Sequence, residues 1–222
     1  MLTQPRIKDL SIAPFVKSGC AFTYYPKRYG YDQLSHDLLE MKSGIRPDME
    51  ALFVLRVLEF ITLNNIILTG IVRVLGSKEM FDHQTHPLHR VAKTLSELLE
   101  VPYFDEWLNK PETTKTATLG SKGNRFAHLN KTYTVALPAH NDTPERILVL
   151  DDIVTTQTTA LEVHRALKSA NPQMKCDFFA FAETFHQRHQ STHYVTQAIA
   201  PADYQASSYS HATDPDRHLV YL

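Results

Sequence analysis

The sequence predicts an α/β fold, in which a parallel sheet is flanked by helices. An apolar run over residues 66–75 lacks the polar alternation of a half-buried strand, which indicates a strand buried on both faces, and residues 147–150 indicate another buried strand. Segments with helical spacing of apolar residues alternate with such runs, as expected where helices join parallel strands. The 222 residues, 43% of them hydrophobic, suit one domain or one domain with a small appendage.

The N-terminal part is expected to be aromatic and helical. The first thirty residues are rich in Phe and Tyr and show no regular pattern. Asp32 stands where a helix N-cap would, Gly44 indicates the end of that helix, and Pro47 suits the first turn of a second helix. We therefore expect residues 1–62 to form an N-terminal helical extension or hood, and residues 63–222 to form the α/β core.

The remaining elements follow in order along the core. We expect a strand over residues 66–75, a loop over 76–79, a helix from Pro87 to about residue 99, and a short strand at 101–104. Residues 109–130 are polar and basic, which predicts a long flexible loop. After it we expect a strand at 133–137, the strand 147–150, a helix from about Thr158 to Lys168, and the strand 176–182.

Composition excludes several classes of protein. The formal net charge of -1 does not favour binding to a nucleic-acid backbone. The two cysteines, Cys20 and Cys176, form no CxxC pair, which excludes a thiolate zinc ribbon. They could form one disulfide, but we expect them to be buried free thiols. No stretch has the length of a membrane span and the N-terminus lacks the apolar run of a signal peptide, so we expect a soluble cytoplasmic protein. No glycine follows Gly123, which excludes glycine-rich phosphate loops of the usual pattern beyond it.

One segment carries recognisable chemistry. The strand 147–150 is followed by Asp151 and Asp152 and then by the hydroxyl-rich turn Thr155-Thr156-Gln157-Thr158-Thr159, which leads into a helix. Ligands of open parallel sheets bind at the carboxyl ends of the strands. Two carboxylates there can accept hydrogen bonds from a vicinal diol, and a helix N-terminus with hydroxyl donors can hold a phosphate. These groups together predict a ribose 5-phosphate pocket. The alternative is that Asp152 or a threonine caps the helix and that Asp151 is solvent-exposed.

This string resembles the signature of the type I phosphoribosyltransferases, which bind phosphoribosyl pyrophosphate (PRPP). Within that superfamily the chain is most similar to the ComF group, whose acidic pair precedes a Thr-Thr-Gly-Ala-Thr-like turn. Residues 33–60, with Met41-Lys42-Ser43-Gly44 at their centre, resemble the lead-in helices of that group, and residues 108–135 resemble its basic loop and following strand. The resemblance covers about residues 30–185.

The resemblance implies a fold and a function. The fold is a type I phosphoribosyltransferase-like parallel sheet, and the function is Mg²⁺-dependent transfer of a phosphoribosyl group between pyrophosphate and a nitrogen base. Asp151 and Asp152 would hold the ribose hydroxyls and approach the Mg²⁺, directly or through water, while residues 155–159 would bind the 5-phosphate. The ligand would be PRPP or a nucleoside 5′-phosphate. A second reading is a non-catalytic regulator, or an accessory protein of bacterial DNA uptake or defence; a homodimer and a protein partner both stay open.

Basic residues supply the remaining candidates. The pyrophosphate loop of the family follows the first core strand, where this chain has Arg73, Gly76, Ser77 and Lys78. Arg73 is either a pyrophosphate ligand or a surface or salt-bridged residue, and Lys78 is either a ligand or a solvated loop charge. In the flexible loop, the candidates to close over the leaving group, or to serve only solubility, are Lys115, Lys122 and Arg125.

The chain also departs from the family pattern. The zinc-ribbon cysteines are absent, and residues 81–86 replace an Arg-Gly-Phe-Asn-Gln-like element. Gln157 stands where the family has glycine, which adopts positive φ and lets the backbone approach a phosphate closely. Gln157 must either adopt such a conformation itself or give the turn a different shape.

Two groups of histidines are candidates for a metal site or for contact with a nucleobase. His186, His189 and His193 would share one face of a helix, which either binds zinc or faces solvent or substrate. His83, His86 and His89 recur every three residues near the predicted site, where they either contact a nucleobase or transfer protons, or have no role in the chemistry.

Overall fold

The computed structural model of the chain describes residues 7–30, 32–110, 132–136 and 144–185. The helices are α1 (Gln33–Lys42), α2 (Pro47–Leu63), α3 (Pro87–Leu99) and α4 (Thr158–Ala170), with a 3₁₀ turn at Lys27–Tyr29. The strands are β1 (Lys8–Asp9), β2 (Ser18–Tyr24), β3 (Gly70–Arg73), β4 (Leu108–Asn109), β5 (Thr134–Val135), β6 (Arg146–Val154) and β7 (Lys175–Thr184).

The central sheet has five strands in the order β1-β2-β7-β6-β3. Strands β2, β7, β6 and β3 are parallel to their neighbours, and only the edge strand β1 is antiparallel. Strands β4 and β5 form a separate antiparallel pair. The predicted α/β class, a mostly parallel sheet flanked by helices, is confirmed.

Apolar side chains form a core on each face of the sheet. Leu148 and Leu150 of β6 pack in the core that includes residues of α1, α2 and α3. Ile147 and Val149, which alternate with them, pack in the core that includes residues of α4. The helices therefore cover both faces, which explains why β6 is apolar at four successive positions.

The connections after β3 and β6 leave in opposite directions. After β3 the chain passes through α3 to residues 101–104, where Tyr103 bridges Ile71 in parallel on the edge of β3 away from β6. After β6 it passes through α4 to β7, on the opposite side of β6. Ligands of open α/β sheets bind in the crevice that such a reversal leaves at the carboxyl ends of the strands. The fold therefore places the candidate site between the ends of β3 and β6.

Four helices were predicted correctly, and their signals are visible in the structure. Asp32 caps α1 by accepting the Ser35 N–H at 2.8 Å, and Gly44 has φ 76° beyond its end. Pro47 and Pro87 occupy the first turns of α2 and α3. Intrinsic capping signals of this kind act locally, which is why the sequence alone locates them.

Several strands differ from the prediction. The first thirty residues are not irregular, because Ser18–Tyr24 pairs with β7 inside the sheet. Strand β3 begins at Gly70 rather than at residue 66, and residues 101–104 make one bridge instead of a strand. Strand β6 does not end before the acids but continues to Val154. The division of the chain after residue 62 stays a prediction.

Other predictions fall partly within the described residues. Cys20 and Cys176 are buried free thiols, as expected, and burial raises their pKa to about 12 and about 11 respectively. No helix among the described ranges is long and apolar enough to cross a membrane. The candidates in the basic loop and the histidines of the C-terminal segment lie outside the described residues: Lys115, Lys122, Arg125, His186, His189 and His193.

Candidate functional site

The last residues of β6 project beyond the end of β3. Arg73, at the end of β3, is in register with Leu150, so residues 151–154 pair only with β7. Just beyond β3, the Val74 N–H donates to the Leu150 carbonyl of β6 at 2.8 Å. The loop after β3 and the turn after β6 therefore flank the two acids.

The two acids have different surroundings. The Asp152 carboxylate pairs with the Lys42 ammonium of α1 at 2.9 Å, and its Oδ1 accepts the Ile153 N–H at 2.6 Å. Asp151 accepts the Asp152 N–H at 2.9 Å. Because residues alternate between the faces of a strand, Asp151 lies on the same face of β6 as Val149. The acids thus flank the end of β6 on its two faces, and neither is the fully exposed residue that the alternative reading required.

These surroundings give the acids opposite pKa shifts. Burial raises the pKa of Asp151 well above its usual value, and the neighbouring Asp152 charge raises it further. Burial also acts to raise the pKa of Asp152, but the Lys42 ammonium outweighs it, so the net shift is downward. Burial alone would lower the pKa of Lys42, yet Asp152 raises it. The site therefore combines one ionised carboxylate with a second that holds its proton more tightly.

The opposite shifts predict opposite effects on stability, measured in buffer with a chelator. Because Asp151 binds its proton more tightly in the folded state, its ionisation lowers the free energy of unfolding as pH rises above the usual value of 3.8 toward the raised pKa. Asp151→Asn should therefore raise the free energy of unfolding at pH 7 by on the order of 1 kcal/mol. Its advantage should disappear below about pH 4, where the free carboxyl is protonated in both states.

Asp152→Asn is the matched comparison for that measurement. The stabilising contribution of ionised Asp152 is present above its unfolded pKa and is lost as pH falls through its lowered pKa. The Asn variant should therefore be less stable than the wild type at pH 7 and equal to it in acid. Urea unfolding from pH 3 to pH 8 would measure both variants. Equal shifts of the same sign would contradict the asymmetry between the two acids.

The turn after β6 has the backbone conformation that glycine favours, although Gln157 stands at the position in question. Gln157 is the N-terminal cap of α4 and has φ 63° and ψ −3°, the left-handed conformation that glycine adopts readily. Its side chain makes no capping hydrogen bond. Thr156 and Thr158 bring their hydroxyl oxygens to 3.0 Å, and Thr158 is buried. The turn thus adopts the glycine-type conformation without glycine.

Gln157→Gly should stabilise the protein. The left-handed conformation costs a residue with a Cβ about 1–2 kcal/mol, and glycine removes that strain. Glycine also increases the conformational entropy of the unfolded chain, which offsets part of the gain. We therefore expect the free energy of unfolding to rise by roughly 0.5–1 kcal/mol. Glu100→Gly is the control, because Glu100 is left-handed (φ 54°) at the far end of α3. Urea denaturation should give similar gains for both variants. A loss for Gln157→Gly alone would mean that its amide supports the turn.

The loop after β3 is organised around a buried guanidinium. Arg73 donates from Nη1 and Nη2 to the two carboxylate oxygens of Glu79 at 2.8 and 2.7 Å, and from Nε to Asp82 at 2.8 Å. Its side chain is 1% exposed. Of the two readings offered for Arg73, its contacts match the salt-bridged one. Ser77 and Lys78 are exposed at the tip of the loop.

Further groups of this region escaped the sequence analysis. The Lys110 ammonium donates to the Gly76 carbonyl at 2.5 Å, and burial lowers the pKa of Lys110 to about 8. The sequence pattern places Lys42 in a lead-in helix and Glu79 in a loop, without a role in the site for either. Sequence spacing carried no signal for these roles, because Lys42 is 110 positions from Asp152 and Lys110 is 34 positions from Gly76.

The three histidines near the site have separate environments. His86 caps α3, where its Nδ1 accepts the Leu88 N–H at 3.1 Å, which leaves the ring proton on Nε2. Burial, with Arg73 as the next cause, lowers the pKa of His86, so the ring is neutral at pH 7. His89 lies 3.1 Å from Asp82, and the His83 ring stacks on Phe81.

The donor set of the acid pair fits a Mg²⁺ ion that arrives with a phosphorylated ligand. In the described part of the chain, one group of three metal-ligand side chains lies together, His36, Asp37 and Glu40, and its acids already pair with Arg46. The acids of β6 do not form such a group. Magnesium commonly takes one or two carboxylates and completes its shell with water and phosphate oxygens. Asp151 and Asp152 could supply the carboxylates.

Comparison with known proteins adds little to this geometry. No protein-family model matches the chain, and no curated protein matches it. Among solved structures, the chain is similar to the xanthine-guanine-hypoxanthine phosphoribosyltransferase of Helicobacter pylori, with 15% sequence identity. That match covers 74% of this chain and 89% of the other, with a TM-score of 0.34. A likeness this low carries no argument about the site, whose chemistry follows from its own residues.

Proposed function

We propose that this protein binds the phosphoribosyl group of PRPP or of a nucleoside 5′-phosphate and transfers it between pyrophosphate and a nitrogen base. One observation carries the proposal: Asp151 and Asp152 lie in the last four residues of β6, beyond the end of β3, and the hydroxyl-lined turn that opens α4 follows that strand. Diol acceptors and a phosphate cradle are adjacent there, as ribose 5-phosphate requires.

Each part of the ligand has a counterpart in the site. The carboxylate of Asp152 accepts from one ribose hydroxyl, and the carboxyl group of Asp151, which binds its proton more tightly, lies beside it as a second partner for the diol. The 5-phosphate lies at the N-terminus of α4, where unpaired backbone N–H groups and the hydroxyls of Thr156 and Thr158 are donors. Thr155 and Thr159 extend this turn on either side. The left-handed Gln157 gives the backbone the shape for that approach.

Transfer requires little covalent chemistry from the protein. The bond between the anomeric carbon and the pyrophosphate oxygen breaks with its electron pair on oxygen, and the nitrogen lone pair forms the new bond. Positive charge develops on the ribose, which the Asp152 carboxylate stabilises, and negative charge develops on pyrophosphate near the loop after β3. A Mg²⁺ ion held by the ligand beside the two acids would supply further positive charge there. Lys115 and Arg125 stay predictions as residues that close the site.

The test separates the two halves of the pocket by their ligands. Calorimetric titration of the wild type would compare ribose 5-phosphate with 2-deoxyribose 5-phosphate, which lacks one hydroxyl, and with ribose, which lacks the phosphate. We expect ribose 5-phosphate to bind at least about tenfold more tightly than either, because each analogue leaves charged or buried groups without a partner. Equal affinity for all three, or no binding, would contradict the proposal.

A second reading is that the protein binds the same ligand without catalysis. The observation that favours it is the Arg73 guanidinium, which Glu79 and Asp82 already engage on a loop that an active enzyme would use for pyrophosphate. Incubation with PRPP, Mg²⁺ and a panel of purine and pyrimidine bases distinguishes the two readings. Release of pyrophosphate with any base supports the enzyme. Tight PRPP binding without release across the panel supports a ligand-sensing or accessory protein.

A further inference from the structure

The loop after β3 holds a carboxylate in a set of donors that suits an anionic ligand. Oε2 of Glu79 accepts from Arg73 Nη1 at 2.8 Å and from the Gly76 N–H at 2.5 Å, and Oε1 accepts from Arg73 Nη2 at 2.7 Å. The Glu79 side chain is 10% exposed and the Arg73 side chain 1%. A guanidinium fork with a converging backbone N–H is a common arrangement for binding phosphate as well as carboxylate.

A second cation lies beside the same carboxylate. The Lys110 ammonium donates to the Gly76 carbonyl at 2.5 Å, and its charge interacts with those of Glu79 and Arg73. Asp82 accepts from Arg73 on the other side, through Nε and Nη2. With Glu79 in place, the two cations and two carboxylates balance. If Glu79 leaves, an excess of positive charge remains for an incoming anion.

We propose that Glu79 occupies the pyrophosphate position of the loop and is the specificity-determining residue that a diphosphate must displace. This inference rests on the proposed function, since the loop is where pyrophosphate would lie. A single phosphate offers too little charge to replace a buried bidentate carboxylate beside Arg73 and Lys110. A diphosphate carries more charge and more acceptor oxygens, so it can satisfy both cations at once. The displaced Glu79 side chain turns toward the exposed tip of the loop.

Glu79→Gln tests the displacement. The glutamine keeps an oxygen for the Gly76 N–H but removes the charge that competes with the ligand. Calorimetric titration with inorganic pyrophosphate should show affinity at least about tenfold higher than that of the wild type, because charged hydrogen bonds to Arg73 become available to the ligand. Affinity for inorganic phosphate should rise as well, so that the preference for pyrophosphate over phosphate narrows. Affinity for ribose 5-phosphate should not change.

Glu50→Gln is the matched control. Glu50 accepts from Arg90 through Nε and Nη2 at 2.9 and 2.5 Å, and its side chain is 12% exposed. This pair resembles that of Glu79 but joins α2 to α3, away from the loop. The control should leave pyrophosphate affinity unchanged. An equal gain in the control would mean that general loss of negative charge, rather than displacement of Glu79, causes the effect.

Glu79→Asp provides a second variant with the charge retained. It is one methylene shorter and cannot reach both Arg73 nitrogens, so it should give a smaller gain for pyrophosphate. The proposal fails if Glu79→Gln binds pyrophosphate no more tightly than the wild type. It also fails if Glu79→Asp gains as much affinity for pyrophosphate as Glu79→Gln, because the retained charge should still compete with the ligand. Binding of ribose 5-phosphate distinguishes this failure from failure of the proposed function. If the wild type binds ribose 5-phosphate, the proposed function holds even when the Glu79 proposal fails.

Discussion

Arg73→Met should lower the free energy of unfolding by about 3–5 kcal/mol, the largest loss expected from one substitution in this site. The methionine fills the volume of the arginine stem but leaves the carboxylates of Glu79 and Asp82 without their counter-charge. Both carboxylates are largely buried, at 10% and 5% exposure. A buried charge without a partner costs more than the original pair contributed. Burial works against the charged form of Arg73, but the two carboxylates outweigh it and raise its pKa, so the guanidinium is charged at every accessible pH.

Urea unfolding followed through Trp107, the single tryptophan, measures this loss. Arg90→Met is the control: Arg90 makes a similar fork to Glu50, but its side chain is 42% exposed. We expect a loss of only about 1 kcal/mol there, because Arg90 is exposed and pairs with one carboxylate, whereas the buried Arg73 pairs with two. Arg73→Lys should not restore stability, since a lysine cannot form the paired contacts with Glu79. Equal losses at Arg73 and Arg90 would mean that the loop network adds no more than a surface pair.

Asp152→Asn should weaken binding of ribose 5-phosphate by about 10–100-fold, the range that loss of a charged hydrogen bond in a closed site predicts. The substitution removes the ionised carboxylate that accepts from the ribose hydroxyl and also frees the Lys42 ammonium, 2.9 Å away in the wild type. Asp151→Asn should cost less, because Asp151 already holds its proton more tightly. The double variant should lose measurable binding.

The deoxy analogue identifies the cause of that loss. If Asp152 acts through a ribose hydroxyl, Asp152→Asn should weaken ribose 5-phosphate more than 2-deoxyribose 5-phosphate, so the variant discriminates less between them. Glu106→Gln, at an exposed position between α3 and β4, controls for net charge. Far-ultraviolet circular dichroism would verify that each variant is folded. If affinity for both sugars falls equally, Asp152 maintains the structure of the strand end and does not bind the diol.

The sequence predicted the helices better than the strands. Helices α1 to α3 begin at signals that act within one turn, namely Asp32 and the prolines 47 and 87. Strand β2 was missed because its residues are only partly apolar, and it becomes a strand through pairing with β7, more than 150 positions away. Strand formation depends on such distant partners, which local patterns do not specify.

The sequence also placed Asp151, Asp152 and the hydroxyl-rich turn together, because they are consecutive. It left Gln157 between two conformations, and the structure gives it the left-handed one at the start of α4. The cost of that conformation is small enough for the surrounding turn to impose it.

What the sequence determined by itself is therefore the order of the elements and the acid-and-hydroxyl segment after β6, because both depend on neighbours along the chain. Only the tertiary structure decided the electrostatics. Lys42 of α1 pairs with Asp152 and makes the pKa shifts of the two acids opposite, and Glu79 accepts hydrogen bonds from Arg73. Charge interactions depend on distance in space and on burial. Spacing along the sequence gives neither the distance between two charges nor their burial. The acids and bases therefore acquire their roles only when the fold brings them together.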